Sequence, residues 1–410
     1  MKNIVYSPLA SLVLLVLSGS FFLTFITIKL NINEVTVIML GLIHSAFYGG
    51  ILIGALKSEE IINRVGHIRA FASFSSTLTI TILFQAIYQT PYIWILFRFC
   101  AGFATAAAYV IIESWLLAQS TKYNKGKILS VYMICLYSAQ TIGQFGLDIV
   151  DINSLEPFIL AAIVSSISII PASLTYVPAP EIKPLPKLAI NKYFSASPLG
   201  FMGCISSGLI LSAIYSFLPK YAVDNDFSVS MMLGLTIAGG FCLQWPIGKL
   251  SDTFDRTKII IILSLVIAAI CLLLAVVRFN DTLIYTMMFI FGGLCFTIYP
   301  ICIAQVCDQL EHGNIINVTG VLLFAYGVGA VLGPPIVSLF MEAFATVALL
   351  YYISFVAFIL FSFGLYRNKI EKNVPQEDQV EFIAMPRVSP MANELDPRVD
   401  NDPITEETKP

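Results

Sequence analysis

Twelve stretches of largely apolar residues follow one another along this chain, and no other feature restricts its fold as much. They run Pro8–Leu30, Val35–Leu56, Ala70–Gln89, Tyr92–Gln119, Ile128–Ile149, Pro157–Val177, Pro198–Ala222, Val229–Gly248, Lys258–Val277, Thr282–Gln305, Ile315–Met341 and Ala345–Tyr366. A bilayer core of ~30 Å is crossed by a helix of ~20 apolar residues. A single soluble core stops growing near ~250–300 residues, so this much apolar length has no place inside a larger globule. Lipid offers no partner to a backbone N–H or C=O, so each run is predicted to be helical throughout. The composition agrees, with 57% of residues from the AVILMFWYC set and 12% charged, where soluble domains have roughly 45–50% and 25%. A soluble enzyme and a secreted disulfide scaffold are excluded. A net charge of −3 also removes the basic footprint of a nucleic-acid binder.

The first run follows Lys2 and contains Ser18-Gly19-Ser20, as a signal peptide would, but its apolar character continues to Ile28, past any short h-region. It reads as a retained first helix. The eight cysteines are scattered, without a C-x-x-C pair or a histidine at zinc spacing, and read as small hydrophobes. Under alternating crossing, Lys2, Lys57, Arg64, Arg69, Lys122, Lys125, Lys127, Lys183, Lys187, Lys192, Lys249, Arg256, Lys258 and Arg367 fall on one side, against Lys29, Lys220 and Arg278 on the other. That asymmetry places both termini in the cytoplasm, with the chain in the inner membrane.

A proline- and lysine-rich segment interrupts the series after the sixth run. The expected organisation is an N-terminal six-helix bundle over 1–180, an interdomain loop over 181–197, a C-terminal six-helix bundle over 198–367 and an acidic tail over 368–410. The tail is rich in acids and prolines and nearly free of aromatics, so it is predicted to be disordered. The fold class is all-α and polytopic, with twelve transmembrane helices in two pseudo-symmetric bundles.

The two halves repeat. The loop after the eighth run, from Gly248 to Lys258, superimposes on the loop after the second, from Glu59 to Arg69, with Asp252 on Asn63, Leu250 on Ile61 and Lys258 on Arg69. Parallel repeats of six helices with matching basic loops characterise one class of transporters. These residues resemble the loop motif G-x-L-x-D-R-x-G-R-[KR] of the major facilitator superfamily. The second copy keeps Gly248, Leu250, Asp252 and Arg256, with Asp255 in place of glycine. The first keeps Arg64, Gly66 and Arg69, with Glu59 and Asn63 in place of glycine and aspartate. Arg98-Phe99-Cys100-Ala101-Gly102 resembles the R-x-x-x-G element of the fourth helix. Glu113-Ser114-Trp115-Leu116, Tyr299-Pro300, Asp308 and the stretch from Leu322 to Pro334 look most like the YcaD-like branch of bacterial transporters. The resemblance covers roughly Ser7 to Tyr366. It implies alternating access between two bundles, usually powered by an ion gradient, with the first, fourth, seventh and tenth helices lining the cavity. One departure concerns the fifth helix, where drug/proton antiporters carry Gly-Pro and this chain reads Gly143-Gln144.

A charge at the bilayer centre costs ~2.5–3.5 kcal/mol or more, and few exist here. Arg98 is a candidate for binding an anionic solute, or for packing against carbonyls. Glu113 lies fifteen residues further on, ~22 Å along one helix, so the two cannot pair. Glu113 is expected to close the cytoplasmic side with Arg64 and Arg69, or alternatively to couple protons. Asp252, Arg256 and Lys258 should latch the second half, and Asn63 makes the first latch weaker. His44 has a side chain suited to proton handling. The neutral cavity candidates are Phe25, Tyr109, Gln140, Gln144, Tyr215, Gln244, Tyr299 and Tyr326. The function expected is secondary transport of a small organic solute. The alternatives are an efflux antiporter for toxic compounds and a transporter-like sensor whose tail binds a protein. No nucleotide loop of the form G-x-x-x-x-G-K-[ST] occurs, and no cofactor or metal is expected. The expected partners are a small-molecule substrate, a coupling proton and the lipid bilayer, with no nucleic acid, the chain acting as a monomer.

Overall fold

The computed structural model describes residues 2–174, 190–277, 279–309, 315–370, 374–375 and 379–401. Most of the interdomain loop, Arg278 and the ends of the tail lie outside the described residues. The helices are α1 (Lys2–Ile32), α2 (Val37–Val65), α3 (His67–Ile87), α4 (Pro91–Ala118), α5 (Lys125–Gln144), α6 (Glu156–Ile167), α7 (Ile169–Ser173), α8 (Ile190–Ala196), α9 (Pro198–Asp224), α10 (Val229–Thr253), α11 (Arg256–Val276), α12 (Asp281–Asp308), α13 (Ile315–Phe344) and α14 (Ala348–Asn368). No strand occurs among the described residues. Twelve spans are long and apolar enough to cross a membrane, with α6 and α7 together forming the sixth. The break between α6 and α7 at Ser168 has a local cause. Pro171 lacks an N–H, and its ring crowds the carbonyl one turn back at Ile167.

The chain divides into two units, residues 1–185 with 386–397, and residues 186–385 with 398–410. Each is built by the same pairings. In the first, α2 packs on α4, α1 on α5, and α3 on α6; in the second, α10 packs on α12, α9 on α13, and α11 on α14. Glycines permit the closest of these approaches. A Cβ on Gly102 would overlap the Phe47 backbone of α2, and one on Gly292 would overlap the Thr236 backbone of α10. Small residues are what let helices in lipid reach van der Waals contact.

The repeated loops turn their helices by different means. Between α2 and α3, Gly66 has φ +85° and ψ 155° and no side-chain cap follows, a conformation essentially reserved for glycine. At the matching place before α11, Asp255 has φ −57° and its carboxylate accepts from the Thr257 N–H, 2.9 Å away. Aspartate replaces the motif glycine because a capping side chain there satisfies an orphan N–H of the helix start.

The described stretch of the tail over 379–401 differs from the expectation of disorder. Residues Pro390–Leu395 form a 3-10 turn in which Met391, Ala392, Asn393 and Leu395 are buried, and Phe382 and Met385 are buried as well. The composition is poor in apolar groups overall, but the few present are grouped where they reach helical surfaces. The tail folds onto a core built by the rest of the chain and needs no core of its own.

Candidate functional site

In the first unit, Arg98 is 3% exposed, seven residues into α4. Its Cζ lies 4.0 Å from the centroid of the Phe47 ring. The R-x-x-x-G spacing explains this contact. Gly102 lets α2 approach α4 at Phe47, and Arg98, one turn earlier, then meets the ring that this approach delivers. His44 and Tyr48, on the same face of α2 as Phe47, are its electrostatic neighbours. Arg98 Nε and Nη2 have no hydrogen-bond partner among the described residues. His44 is fully buried, with Nε2 2.9 Å from Thr27 Oγ1 of α1. The result is a guanidinium oriented through its face, with two edge nitrogens lacking acceptors.

Glu113 lies near the other end of α4 and is also fully buried. Its carboxylate accepts from Tyr132 Oη of α5 and from Ser389 Oγ of the tail. Arg64 and Arg69 are exposed and are not among its partners. In this structure the donors of Glu113 are a tyrosine and a serine buried with it, as a buried carboxylate requires, and not the arginines expected to meet it. Asn63 is exposed and donates to Glu59 Oε1 at 3.5 Å.

In the second unit the repeated loop carries a charge cluster. Arg256 Nη2 lies 3.0 Å from Asp252 Oδ1 and Arg256 Nη1 lies 3.1 Å from Asp308, with Arg256 and Asp308 both buried. Lys258 is exposed and lies 3.9 Å from Asp255, apart from that cluster. A Cβ on Gly248 would overlap the ring of Phe382, so the motif glycine makes room for a tail side chain. The Val380 N–H donates to Asp308 Oδ1 and the Phe382 N–H to Asp252 Oδ1, each at 2.8 Å.

The neutral candidates divide by environment. Phe25 is fully buried, edge-on to Phe158 at 4.9 Å, in the packed interior of its unit. Gln144 joins α5 to α1, accepting from Thr24 Oγ1 at 2.7 Å and donating to Ser20 Oγ. Gln140 is half-buried on α5. Tyr109 is buried one turn before Glu113. Tyr299 lies 5.3 Å from Tyr326, edge to face, and Tyr215 6.1 Å from Phe296. Gln244 is buried in α10. Sequence reasoning missed Tyr132, Phe47, Phe382 and Ser389, and named Asp308 only as part of a signature. Only Asp308 offered a signal, as a lone acid at the end of an apolar run.

Comparison with known proteins agrees with this architecture. The sequence pattern of the Major Facilitator Superfamily matches residues 9–334 and 226–390. The uncharacterised MFS-type transporter YcaD of Escherichia coli O45:K1 (strain S88 / ExPEC) is 27% identical over 359 residues, covering 86% of this chain and 92% of that protein. The uncharacterised MFS-type transporter Ent638_1421 of Enterobacter sp. (strain 638) is 26% identical, with the same coverage. Among solved structures, the nucleoside transporter NupG aligns with a TM-score of 0.77 at 14% identity, over 90% of this chain and all of that one. The D-xylose-proton symporter aligns with a TM-score of 0.69 at 14% identity, over 91% and 98%. The twelve spans are therefore membrane spans, the chain is a transporter by family, and it belongs to the major facilitator superfamily.

Proposed function

We propose that this protein is a secondary active transporter of the inner membrane, moving a small organic solute with an anionic group by alternating access of its two units. A proton gradient drives it, and the charged-loop end faces the cytoplasm. The observation that carries the reading is Arg98, a buried guanidinium whose Nε and Nη2 lack acceptors. Keeping a charge in such a place costs several kcal/mol, so intramembrane charges mark substrate or ion paths. The Phe47 ring orients the guanidinium by a cation–π contact worth about 0.5–2 kcal/mol and leaves edge donors available. A carboxylate presents two acceptor oxygens to such a fork, the strongest neutralising partner available to arginine. His44 beside it is the residue best suited to exchange a proton as solute enters. Tyr109, Tyr215, Tyr299, Tyr326, Gln140 and Gln244 are the further cavity candidates. Glu113 in one unit and the Asp252–Arg256–Asp308 cluster in the other act in cytoplasmic gating.

The positive-inside asymmetry of the loops supports the orientation. The xylose–proton symporter supports the proton as the coupling ion only as a structural neighbour. The test compares solutes inside and outside cells lacking the protein, complemented with wild type or with Arg98→Ala. An anionic solute should move only with wild type, depleted from the medium by an importer or cleared from the cell by an exporter. The reading fails if Arg98→Ala moves the same solute at the wild-type rate.

A further inference from the structure

In each unit the gating groups are occupied by the chain's own tail. In the first, Ser389 is fully buried and its hydroxyl donates to Glu113, while its oxygen accepts the Met391 N–H at 3.2 Å. The Ala392 N–H also donates to the Glu113 carboxylate. Arg387 Nη2 donates to Tyr137 Oη at 2.7 Å, and Pro397 packs over Gly126. In the second, Val380 and Phe382 donate backbone N–H groups to Asp308 and Asp252, and Arg256 donates to the Val380 carbonyl. Lys249 pairs with Glu381 at 2.9 Å, and the Phe382 ring fills the space at Gly248.

We propose that residues 379–397 are an inhibitory strap that occupies Glu113 and the Asp252–Arg256–Asp308 cluster and must leave them for the transporter to turn over. The proposal rests on the transport reading above, since a strap inhibits only what otherwise moves. Its logic is one of competition. Buried carboxylates hold few strong donors at a time, and while tail N–H and O–H groups fill those positions the gate residues cannot exchange partners. The contacts with the gate carboxylates and Arg256 are polar, the apolar seat of Phe382 lies beside them, and the occupant is tethered, so it reseats without diffusing away. A strap of this kind makes transport responsive to anything that binds or modifies the tail.

The test has two readouts on the whole protein in membranes. The first is labelling of Glu113 by dicyclohexylcarbodiimide, with Glu113→Gln as the blank. The chain ending at Asn368, and full-length Ser389→Asp, which sets a second carboxylate against Glu113, should each label faster than wild type. About tenfold is expected for loss of a charge-assisted hydrogen bond. The second is flux of the solute found in the comparison above, which should rise severalfold in both variants and stay near wild type in Ser389→Thr. Equal labelling of wild type and both variants overturns the strap. Faster labelling with unchanged or lower flux overturns its inhibitory role. If no chain moves any solute although labelling differs, the transport reading fails and the inhibitory role with it.

Discussion

At the scale of single residues, two buried arginines behave oppositely. Arg256 has two carboxylate partners at 3.0 and 3.1 Å, whereas Arg98 faces a ring and leaves donors unfilled. Breaking a buried ion pair from one side leaves an uncompensated charge and costs roughly 3–5 kcal/mol, while removing both partners costs less. Arg256→Ala should therefore lower thermal stability strongly, and the double variant Arg256→Ala/Asp308→Ala should recover part of the loss. Detergent-solubilised melting curves check this, and additive losses would show that the pair is not coupled. Arg98→Met should do the reverse. It removes a buried charge without orphaning a partner, so it should raise the melting temperature by a few degrees for each kcal/mol gained while abolishing solute binding. A destabilised Arg98→Met would mean that the guanidinium is structural. Neither difference was legible in the sequence. Both arginines stand out as charges near apolar runs, but whether an acceptor waits for each depends on residues up to 124 positions away in sequence.

At the scale of helices and turns, most of the fold is legible. The apolar runs give the spans, because a helix is the only way to satisfy backbone groups in lipid. The exception is the sixth, where Pro171 splits an expected continuous helix into α6 and α7. The motif glycines were legible as motif positions but not by their separate purposes. Gly102 serves helix approach and Gly66 serves backbone conformation. Gly102→Leu should therefore cost roughly 1–3 kcal/mol or more by overpacking, and Gly292→Leu should cost a similar amount in the other unit. Gly66→Ala should be destabilising by roughly 1–3 kcal/mol through strain, and Asp255→Ala by about 1 kcal/mol through loss of the cap. Thermal unfolding of the four variants separates these effects. If Gly102→Leu and Gly66→Ala are both neutral, the close approach and the turn geometry are wrong.

At the scale of the molecule, the chain reads as two copies of one six-helix plan that diverged at their loops. The second unit keeps an Asp–Arg–Asp cluster at its repeated loop, whereas the matching loop of the first carries Asn63 and a buried His67 whose ring lies 6.0 Å from Trp115. The loop repeat was visible in the sequence because both copies retain enough motif residues to superimpose. The tail's seat was not. Its mean composition argues for disorder, and the contacts of Ser389 with Glu113 and of Phe382 with Gly248 join positions that no local periodicity relates. The donors of Glu113 were hidden for the same reason: Tyr132 and Ser389 lie 19 and 276 positions away, and no local pattern relates them to it.

The central proposal is that this superfamily member, through its buried, acceptor-poor Arg98, moves an anionic solute at the expense of a proton gradient. The most direct measurement reconstitutes wild type and Arg98→Lys in liposomes and follows counterflow of the lead anionic solute, with and without an imposed pH gradient. Wild type should exchange the solute and accumulate it when the gradient is applied, and Arg98→Lys, which keeps the charge but loses the planar fork, should fall by about tenfold or more. Equal exchange by both proteins, or accumulation indifferent to the pH gradient, would contradict the account.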